Sequence, residues 1–184
     1  FELATGRFLS KAEDALFLSS GMGATALAHL AVLRPGDHLL SSEWIYGGTR
    51  RLFDQVRRRI GALDFTWVDM TDPSAVAAAI RPATKLIWIE TPTNPLLKIT
   101  DIAAIVAIAR RHKVLTCVDN TFATPCFQRP LELGVDIVMH SATKYFGGHS
   151  DVLGGINVVA DPELGKQLHL LRSDAYRALR RSET

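Results

Sequence analysis

Short runs of apolar residues, many of them β-branched, alternate with longer segments of helical periodicity along the 184 residues of this chain. This alternation is typical of βαβ units around a mostly parallel sheet. The predicted strands are 16–19, 38–41, 65–68, 86–90, 114–119, 137–140 and 156–159. The predicted helices are 22–32, 49–60, 73–80, 101–112 and 162–172. The pattern therefore predicts the α/β fold class, with helices flanking the sheet.

Length and composition predict one globular domain. With 47% apolar and 22% charged residues, the chain can bury one substantial core. Its longest apolar runs, such as 102–109, are too short to span a bilayer, so no membrane partner is predicted. The chain begins at Phe1 without an initiator Met or a signal-peptide pattern. We therefore expect part of a longer cytoplasmic protein with reduced cysteines.

Charge and residue spacing argue against several classes of function. The net charge is only +2, and basic residues cluster at the ends of predicted helices, where they suit the helix dipole, so no nucleic-acid partner is predicted. The histidines lack metal-binding spacing and the cysteines form no C-x-x-C pair, so no metal is predicted. A serine-hydrolase G-x-S-x-G elbow is also absent.

The chemically richest segment, 140–151, follows a predicted strand, and open α/β sheets bind ligands beyond the carboxyl ends of their strands. Ser141, Thr143 and Lys144 place two hydroxyls and an amine within four residues. Hydroxyls can hydrogen-bond phosphate oxygens, and a lysine amine can condense with a carbonyl when its pKa is lowered. The grouping suits an anionic aldehyde, and taken alone it also fits an ordinary exposed lysine in a glycine-rich loop.

Two further groups beyond strand ends suit the same ligand. Gly21 and Met22 open a predicted helix, so their backbone amides point toward an anion such as phosphate. Asp119 closes an apolar strand, where a carboxylate can keep a heteroaromatic nitrogen protonated. A plain tight turn and a helix cap are the ordinary alternatives. A dinucleotide site is disfavoured, because the segment lacks the third glycine of that fingerprint and the acidic residue that a ribose needs.

Three more residues are candidates on local grounds. Tyr46 precedes a Gly-Gly turn, where its ring could lie over a cofactor and its phenol could transfer a proton. Arg51, one helical turn further, could meet a substrate carboxylate. Asn94 lies in a loop that two prolines would fix. A half-buried loop tyrosine and a solvated helix arginine remain open, and spacing alone gives Asn94 no function.

Taken together, five segments in order resemble the Cys/Met-metabolism family of pyridoxal-phosphate (PLP) enzymes: 19–22, 46–49, 90–95, 118–125 and 140–155. This family includes cystathionine gamma-synthases, cystathionine lyases, methionine gamma-lyases and O-acetylhomoserine sulfhydrylases. The resemblance runs from about residue 15 to residue 171. It implies that 1–184 is a PLP-binding large domain with the aspartate-aminotransferase type of fold.

The resemblance implies a role for each candidate residue. Lys144 would bind PLP covalently as an internal aldimine and move protons, Tyr46 would stack on the ring and assist proton transfer, and Arg51 would face the substrate. The implied cofactor-binding residues are Gly21, Met22, Tyr46, Asn94, Asp119, Thr121, Ser141, Thr143 and Lys144. Among them, Asp119 would pair with the ring nitrogen, with Thr121 beside it. Asn94 would lie near the ring oxygen or the substrate. The phosphate would be held by Ser141, Thr143 and the amides of Gly21 and Met22.

The implied substrate is a small sulfur amino acid whose C–S bond is made or broken by elimination or replacement. Gly48 stands where methionine gamma-lyases carry a cysteine, so residues 46–49 look most like a cystathionine gamma-synthase or gamma-lyase, with the sulfhydrylases as an alternative. A homo-oligomer, dimer or tetramer, is also implied. We expect the upstream segment that reaches a neighbouring subunit and the downstream small domain to be missing. The alternatives are a catalytically incompetent, PLP-binding or oligomerising fragment and a dinucleotide-binding module.

Overall fold

The computed structural model describes residues 11–181, with side chains through residue 174, so the ends of the predicted domain (1–10 and 182–184) lie outside the described residues. Its strands are β1 Asp14–Leu18, β2 His38–Ser42, β3 Asp64–Val68, β4 Thr84–Glu90, β5 Leu115–Asp119, β6 Ile137–Ser141 and β7 Gly155–Val159. They form one sheet in the order β1–β7–β6–β5–β4–β2–β3. Every neighbouring pair is parallel except the two that include β7. The predicted α/β class is confirmed, and each predicted strand boundary lies within two residues of an observed one.

Three of the longer helices begin after a residue whose side chain accepts a backbone N–H. The helices are α1 Gly21–Val32, α2 Gly47–Arg51 with its continuation through Leu52–Arg57 and Arg58–Ile60, α3 Pro73–Ala79, α4 Ile102–His112, α5 Thr124–Phe127 and α6 Pro162–Arg181. Ser20, Asp72 and Asp101 cap α1, α3 and α4 with hydrogen bonds of 2.8–3.0 Å. Such caps satisfy amides that have no partner within the helix.

Three helical features differ from the sequence-based expectation. The helix predicted over 49–60 begins at Gly47, and its middle, Leu52–Arg57, has π-type hydrogen bonding. The helix predicted over 162–172 continues to Arg181. Two single turns, α5 and a 3-10 turn at Pro130–Leu133, were not predicted. Their four residues are too few to show a helical period, and their prolines indicate a loop equally well.

The strands are buried on both faces because helices cover the two sides of the sheet. Along β4, Leu86 and Trp88 point into one core, which includes α1, α2 and α6. Ile87 and Ile89 point into the other core, which includes α3 and α4. This period-two division explains why the strands read as continuous apolar runs in the sequence.

The carboxyl ends of six strands meet at one edge of the sheet. The strands from β6 to β3 run in the same direction, and β1 shares it, because both β1 and β6 are antiparallel to β7. The helix α1 begins three residues after β1 ends, so its N-terminus is brought to this same edge. The edge thus collects strand ends and a helix N-terminus, which is where ligands bind in open α/β sheets.

Gly155 allows β7 and the start of α1 to approach closely. A Cβ at residue 155 would overlap the Ser20 carbonyl and lie 2.9 Å from the Ala24 Cβ. In contrast, a Cβ at Gly23, in the first turn of the same helix, would meet nothing nearer than the Ser20 Oγ at 3.4 Å. The contact at Gly155 is therefore part of what holds the N-terminus of α1 against the sheet.

Gly155→Ala should destabilise the chain, because backbone rather than a flexible side chain blocks the new methyl group. We expect a loss of about 1–3 kcal/mol in the free energy of unfolding, the usual cost of overpacking. Gly23→Ala, the matched control, should be neutral or stabilising by up to about 1 kcal/mol, because alanine favours a helix. Urea denaturation of both variants measures the difference. Equal stability of the two would contradict the proposed close contact.

Candidate active site

A cleft of about 980 Å³ opens at the carboxyl edge of the sheet. It brings together nine of the residues predicted from the sequence: Gly21, Met22, Tyr46, Asn94, Asp119, Thr121, Ser141, Thr143 and Lys144. The tenth, Arg51, is exposed on α2 and is not among the lining residues. Additional lining residues that the sequence interpretation gave no role include Ser20, Thr25, Glu90, Phe122 and Asp151.

Lys144 stands on a tight turn directly after β6. The turn is closed by hydrogen bonds from the Lys144 N–H to the Ser141 carbonyl (3.1 Å) and from the Gly148 N–H to the Lys144 carbonyl (2.8 Å). These bonds fix the backbone on both sides of the lysine, while its side chain is exposed within the cleft. The amine is thus accessible to a carbonyl compound bound there.

Asp119 is a buried carboxylate connected to the neighbouring strand through Thr121. The Asp119 Oδ1 accepts the Thr121 N–H at 3.0 Å, and the Thr121 Oγ1 accepts the Ser141 N–H at 2.8 Å. Burial raises the pKa of Asp119, and its hydrogen bonds with Thr121 oppose that shift. A positively charged ring nitrogen placed against this carboxylate would stabilise its ionised form.

The N-terminus of α1 and the end of β6 form a cradle suited to an anion. Ser20 uses its hydroxyl and its carbonyl to hold the Gly23 and Ala24 amides, whereas the Gly21 and Met22 amides lie at positions that have no acceptor within the helix. A Cβ at Gly21 would lie only 2.7 Å from the Cβ and Oγ of Ser141. The absence of a side chain at Gly21 thus leaves the amides of the first turn beside the Ser141 hydroxyl.

Thr143 lines the cleft, but its hydroxyl already has partners. The Thr143 Oγ1 donates to the Gly154 carbonyl at 3.2 Å and accepts the Gly154 N–H at 3.1 Å. Since phosphate oxygens only accept hydrogen bonds, Thr143 could bind one only by releasing the Gly154 carbonyl. The structure therefore gives Thr143 a loop-closing contact with Gly154, and its phosphate-binding role stays a prediction.

Glu90 is a site residue that the sequence interpretation missed. It ends β4 in register with Asp119 of β5, and only 6% of its surface is exposed. Burial, and then the negative charge of Asp119, raise the pKa of Glu90 to about 8. Its Oε2 accepts the Tyr46 N–H at 2.7 Å. The available signal was a glutamate that ends an apolar strand, a position that also suits a residue facing solvent.

These groups fit PLP. The cradle of Gly21, Met22 and Ser141 suits a phosphate, the accessible Lys144 amine suits an aldehyde, and the buried Asp119 suits a protonated pyridine nitrogen. An α/β sheet that carries a phosphate cradle, an accessible lysine and a buried carboxylate at its carboxyl edge places this chain in the class of PLP-dependent enzymes.

Comparisons with known proteins give the family. The model of the family described as "Cys/Met metabolism PLP-dependent enzyme" matches residues 5–180. A probable cystathionine gamma-synthase of Herpetosiphon aurantiacus is 52% identical over 167 residues, 91% of this chain and 52% of that protein. A cystathionine beta-lyase of Bacillus subtilis is 56% identical over 155 residues, 84% of this chain and 39% of that protein. This chain belongs to the Cys/Met metabolism family of PLP-dependent enzymes.

The solved structures agree with this fold. The crystal structure of cystathionine gamma-lyase from Lactobacillus plantarum, complexed with L-serine, matches with a TM-score of 0.90 and 45% identity, over 95% of this chain and 45% of that one. The chain thus spans about half the length of the relatives that it matches. PLP is the cofactor of this family.

Among residues 11–174, whose side chains are described, no cluster of three or more His, Cys, Asp or Glu side chains is arranged to hold a metal ion. No helix in that part of the chain is long and apolar enough to cross a membrane.

Gly21→Ala should weaken PLP binding, because the added methyl group would force α1 and the Ser141 side chain apart. We expect the dissociation constant to rise about tenfold or more, the usual effect of losing a hydrogen bond to a charged group. Absorbance titration with PLP measures the constant, and Gly23→Ala serves as control, because its amide is already held by Ser20. If Gly21→Ala bound PLP with unchanged affinity, the phosphate could not lie in this cradle.

Proposed function

We propose that this chain is the cofactor-binding large domain of a trans-sulfuration enzyme, of the cystathionine gamma-synthase or gamma-lyase type. The observation that carries the proposal is the convergence of Lys144, Asp119 and the Gly21–Ser141 cradle in one cleft. The names of the relatives, which are cystathionine synthases and lyases, support a sulfur amino acid as substrate. The cytoplasm stays the predicted compartment.

The cofactor supplies an electron sink for negative charge at the substrate carbon. In the proposal, Lys144 would hold PLP through its amine and would move protons at the α and β carbons of the substrate. Asp119 keeps the ring nitrogen protonated, and Thr121 orients that carboxylate through its amide. Ser141 and the amides of Gly21 and Met22 bind the phosphate, with Thr143 as a further donor when it releases Gly154.

Tyr46, Asn94 and Arg51 are proposed to act on the substrate side. Tyr46 would cover the PLP ring and assist proton transfer. The tyrosine is 54% exposed, which leaves its side chain free to meet a ligand. Asn94 lies beside the ring oxygen or the substrate. Arg51 is outside the cleft lining, so a contact with a substrate carboxylate requires its side chain to turn toward the cleft. The leaving group of the substrate, in elimination or replacement, would be a thiol or an activated hydroxyl.

The cofactor-holding residues described above would serve synthases, lyases and sulfhydrylases alike. They therefore do not choose between these substrates, and the choice is a separate part of the proposal. Gly48 favours the cystathionine enzymes over methionine gamma-lyases, which carry a cysteine there. A Cβ at Gly48 would lie 3.0 Å from the Met22 sulfur and against the Tyr46 ring, so a side chain there would displace Tyr46. We further propose assembly as a homo-oligomer, a dimer or tetramer.

A second candidate is a PLP-binding or oligomerising chain without activity of its own. The observation behind it is that this chain spans 52% and 39% of the lengths of the two curated relatives described above. The two candidates differ in turnover and agree in cofactor binding.

Lys144→Ala should abolish covalent binding of PLP, because no other amine is placed at this turn. The chain is incubated with PLP, reduced with borohydride and digested, and mass spectrometry locates the label. We expect the label on Lys144 in the wild type and in the control Lys166→Ala, whose exposed amine pairs with Glu163 on the surface of α6.

Turnover of cystathionine or an O-acylhomoserine by the same preparation separates the two candidates. Labelling with turnover supports the enzyme, and labelling without it supports the inactive chain. Label retained at the wild-type level in Lys144→Ala would overturn the assignment of Lys144, and binding of NAD with indifference to PLP would favour a dinucleotide module.

A further inference from the structure

Glu90 is buried next to another carboxyl group, an arrangement that is costly unless the groups are compensated. Glu90 and Asp119 end neighbouring strands in register, with 6% and 7% of their surfaces exposed. Two carboxylates that share a buried site repel each other, and each also loses its contact with water. The burial of Glu90 at the base of the cleft must therefore be compensated by hydrogen bonds from the residues around it.

A backbone hydrogen bond compensates Glu90, and it comes from a loop that carries a predicted site residue. The Glu90 Oε2 accepts the Tyr46 N–H at 2.7 Å, across 44 residues of sequence. The Asn94 backbone N–H also stabilises the ionised form of Glu90. One carboxyl group thus connects the loop before α2 with the loop after β4.

The Tyr46 and Asn94 side chains have little packing of their own, although neighbours in the same loops, such as Ile45 and Thr93, are buried. Tyr46 is 54% exposed and Asn94 is exposed, so neither is held in place by burial. Tyr46 precedes the first turn of α2 in a non-helical conformation, and its side chain makes no capping bond. The position of its ring therefore depends on the backbone amide that Glu90 holds.

We propose that Glu90 is a positioning residue, which holds Tyr46 in place around PLP by accepting its backbone N–H and keeps the Asn94 loop, which directly follows its own strand, beside it. This inference rests on the proposed function, because it assumes that Tyr46 covers the cofactor ring. Glu90 acts through these two residues and does not itself bind the substrate.

A surface connection between the same loops provides the matched control. Lys98 lies 2.8 Å from Asp69 and 3.4 Å from Glu43, which precedes the Tyr46 loop. The side chains of these three residues are 31–40% exposed, so such pairs contribute little to structure or binding. Glu43→Gln removes a carboxylate three residues from Tyr46 without touching the buried acceptor.

The test measures PLP affinity and the visible circular dichroism of the bound cofactor, which reports how firmly the ring is oriented. Both measurements are made at pH 9, above the pKa of about 8, where Glu90 is mostly ionised. Glu90→Gln keeps the size of the side chain but replaces the carboxylate by a neutral amide and turns an NH₂ group toward one of the N–H donors. We expect the dissociation constant for PLP to rise about tenfold or more and the visible signal to fall. Glu43→Gln should stay within about twofold of the wild type.

A double-mutant cycle with Tyr46→Ala separates positioning from a general loss of structure. If Glu90 acts through Tyr46, adding Glu90→Gln to Tyr46→Ala should cost clearly less than it costs in the wild type, because coupled residues are not additive. Full additivity would overturn the inference. Far-ultraviolet circular dichroism checks folding, and if Glu90→Gln does not fold, Glu90→Asp, which is one methylene shorter, carries the same test.

The outcomes also distinguish this inference from the proposed function. If the wild-type chain binds no PLP, the proposed function fails and the role of Glu90 fails with it. If the wild type binds PLP and Glu90→Gln binds it equally well with an unchanged visible signal, the positioning role alone is wrong.

Discussion

The cleft is organised around Asp119, a carboxylate that the fold removes from water. A buried charge must be compensated by hydrogen bonds or by an opposite charge. Thr121 supplies the first, and because its hydroxyl also accepts the Ser141 amide, the same residue joins β5 to β6. The strand that carries Asp119 and the strand that leads to Lys144 are thereby held in a fixed relation, as the proposed contacts with the ring nitrogen and the aldehyde of one cofactor would require.

Close packing of backbone does the same for the other half of the site. Gly155 lets β7 touch the start of α1, and Gly21 lets α1 approach Ser141, so the N-terminus of the helix meets the end of β6. Neither contact involves a charge, yet together they determine where an anion can lie. Glu90 extends the pattern to the loops around Tyr46 and Asn94. The site is thus an arrangement of strand ends and helix ends, held by contacts that are mostly to backbone.

Prediction from the sequence succeeded where a pattern is repeated over enough residues. The strands appeared as apolar runs because both faces of the sheet are covered. The starts of helices such as α3 and α4 were predicted from their capping residues, Asp72 and Asp101. It failed for the single turns after Asn120, which are too short to show a period, and for the π segment around Phe53, because periodicity does not report the hydrogen-bonding pattern. Arg51 was expected near the substrate from its distance along the helix, but which face of α2 meets the cleft depends on packing.

The sequence by itself determined the fold class, the family and the residue types that PLP chemistry needs, because these depend on local periodicity and on short segments such as 140–155. Only the tertiary structure decided which of them share a cleft, that the Thr143 hydroxyl is bonded to Gly154, and that Glu90 lies beside Asp119. These are relations between residues that are distant in sequence, and they arise from strand order and register. A carboxylate acquires its pKa and its role from the neighbours that the sheet places beside it.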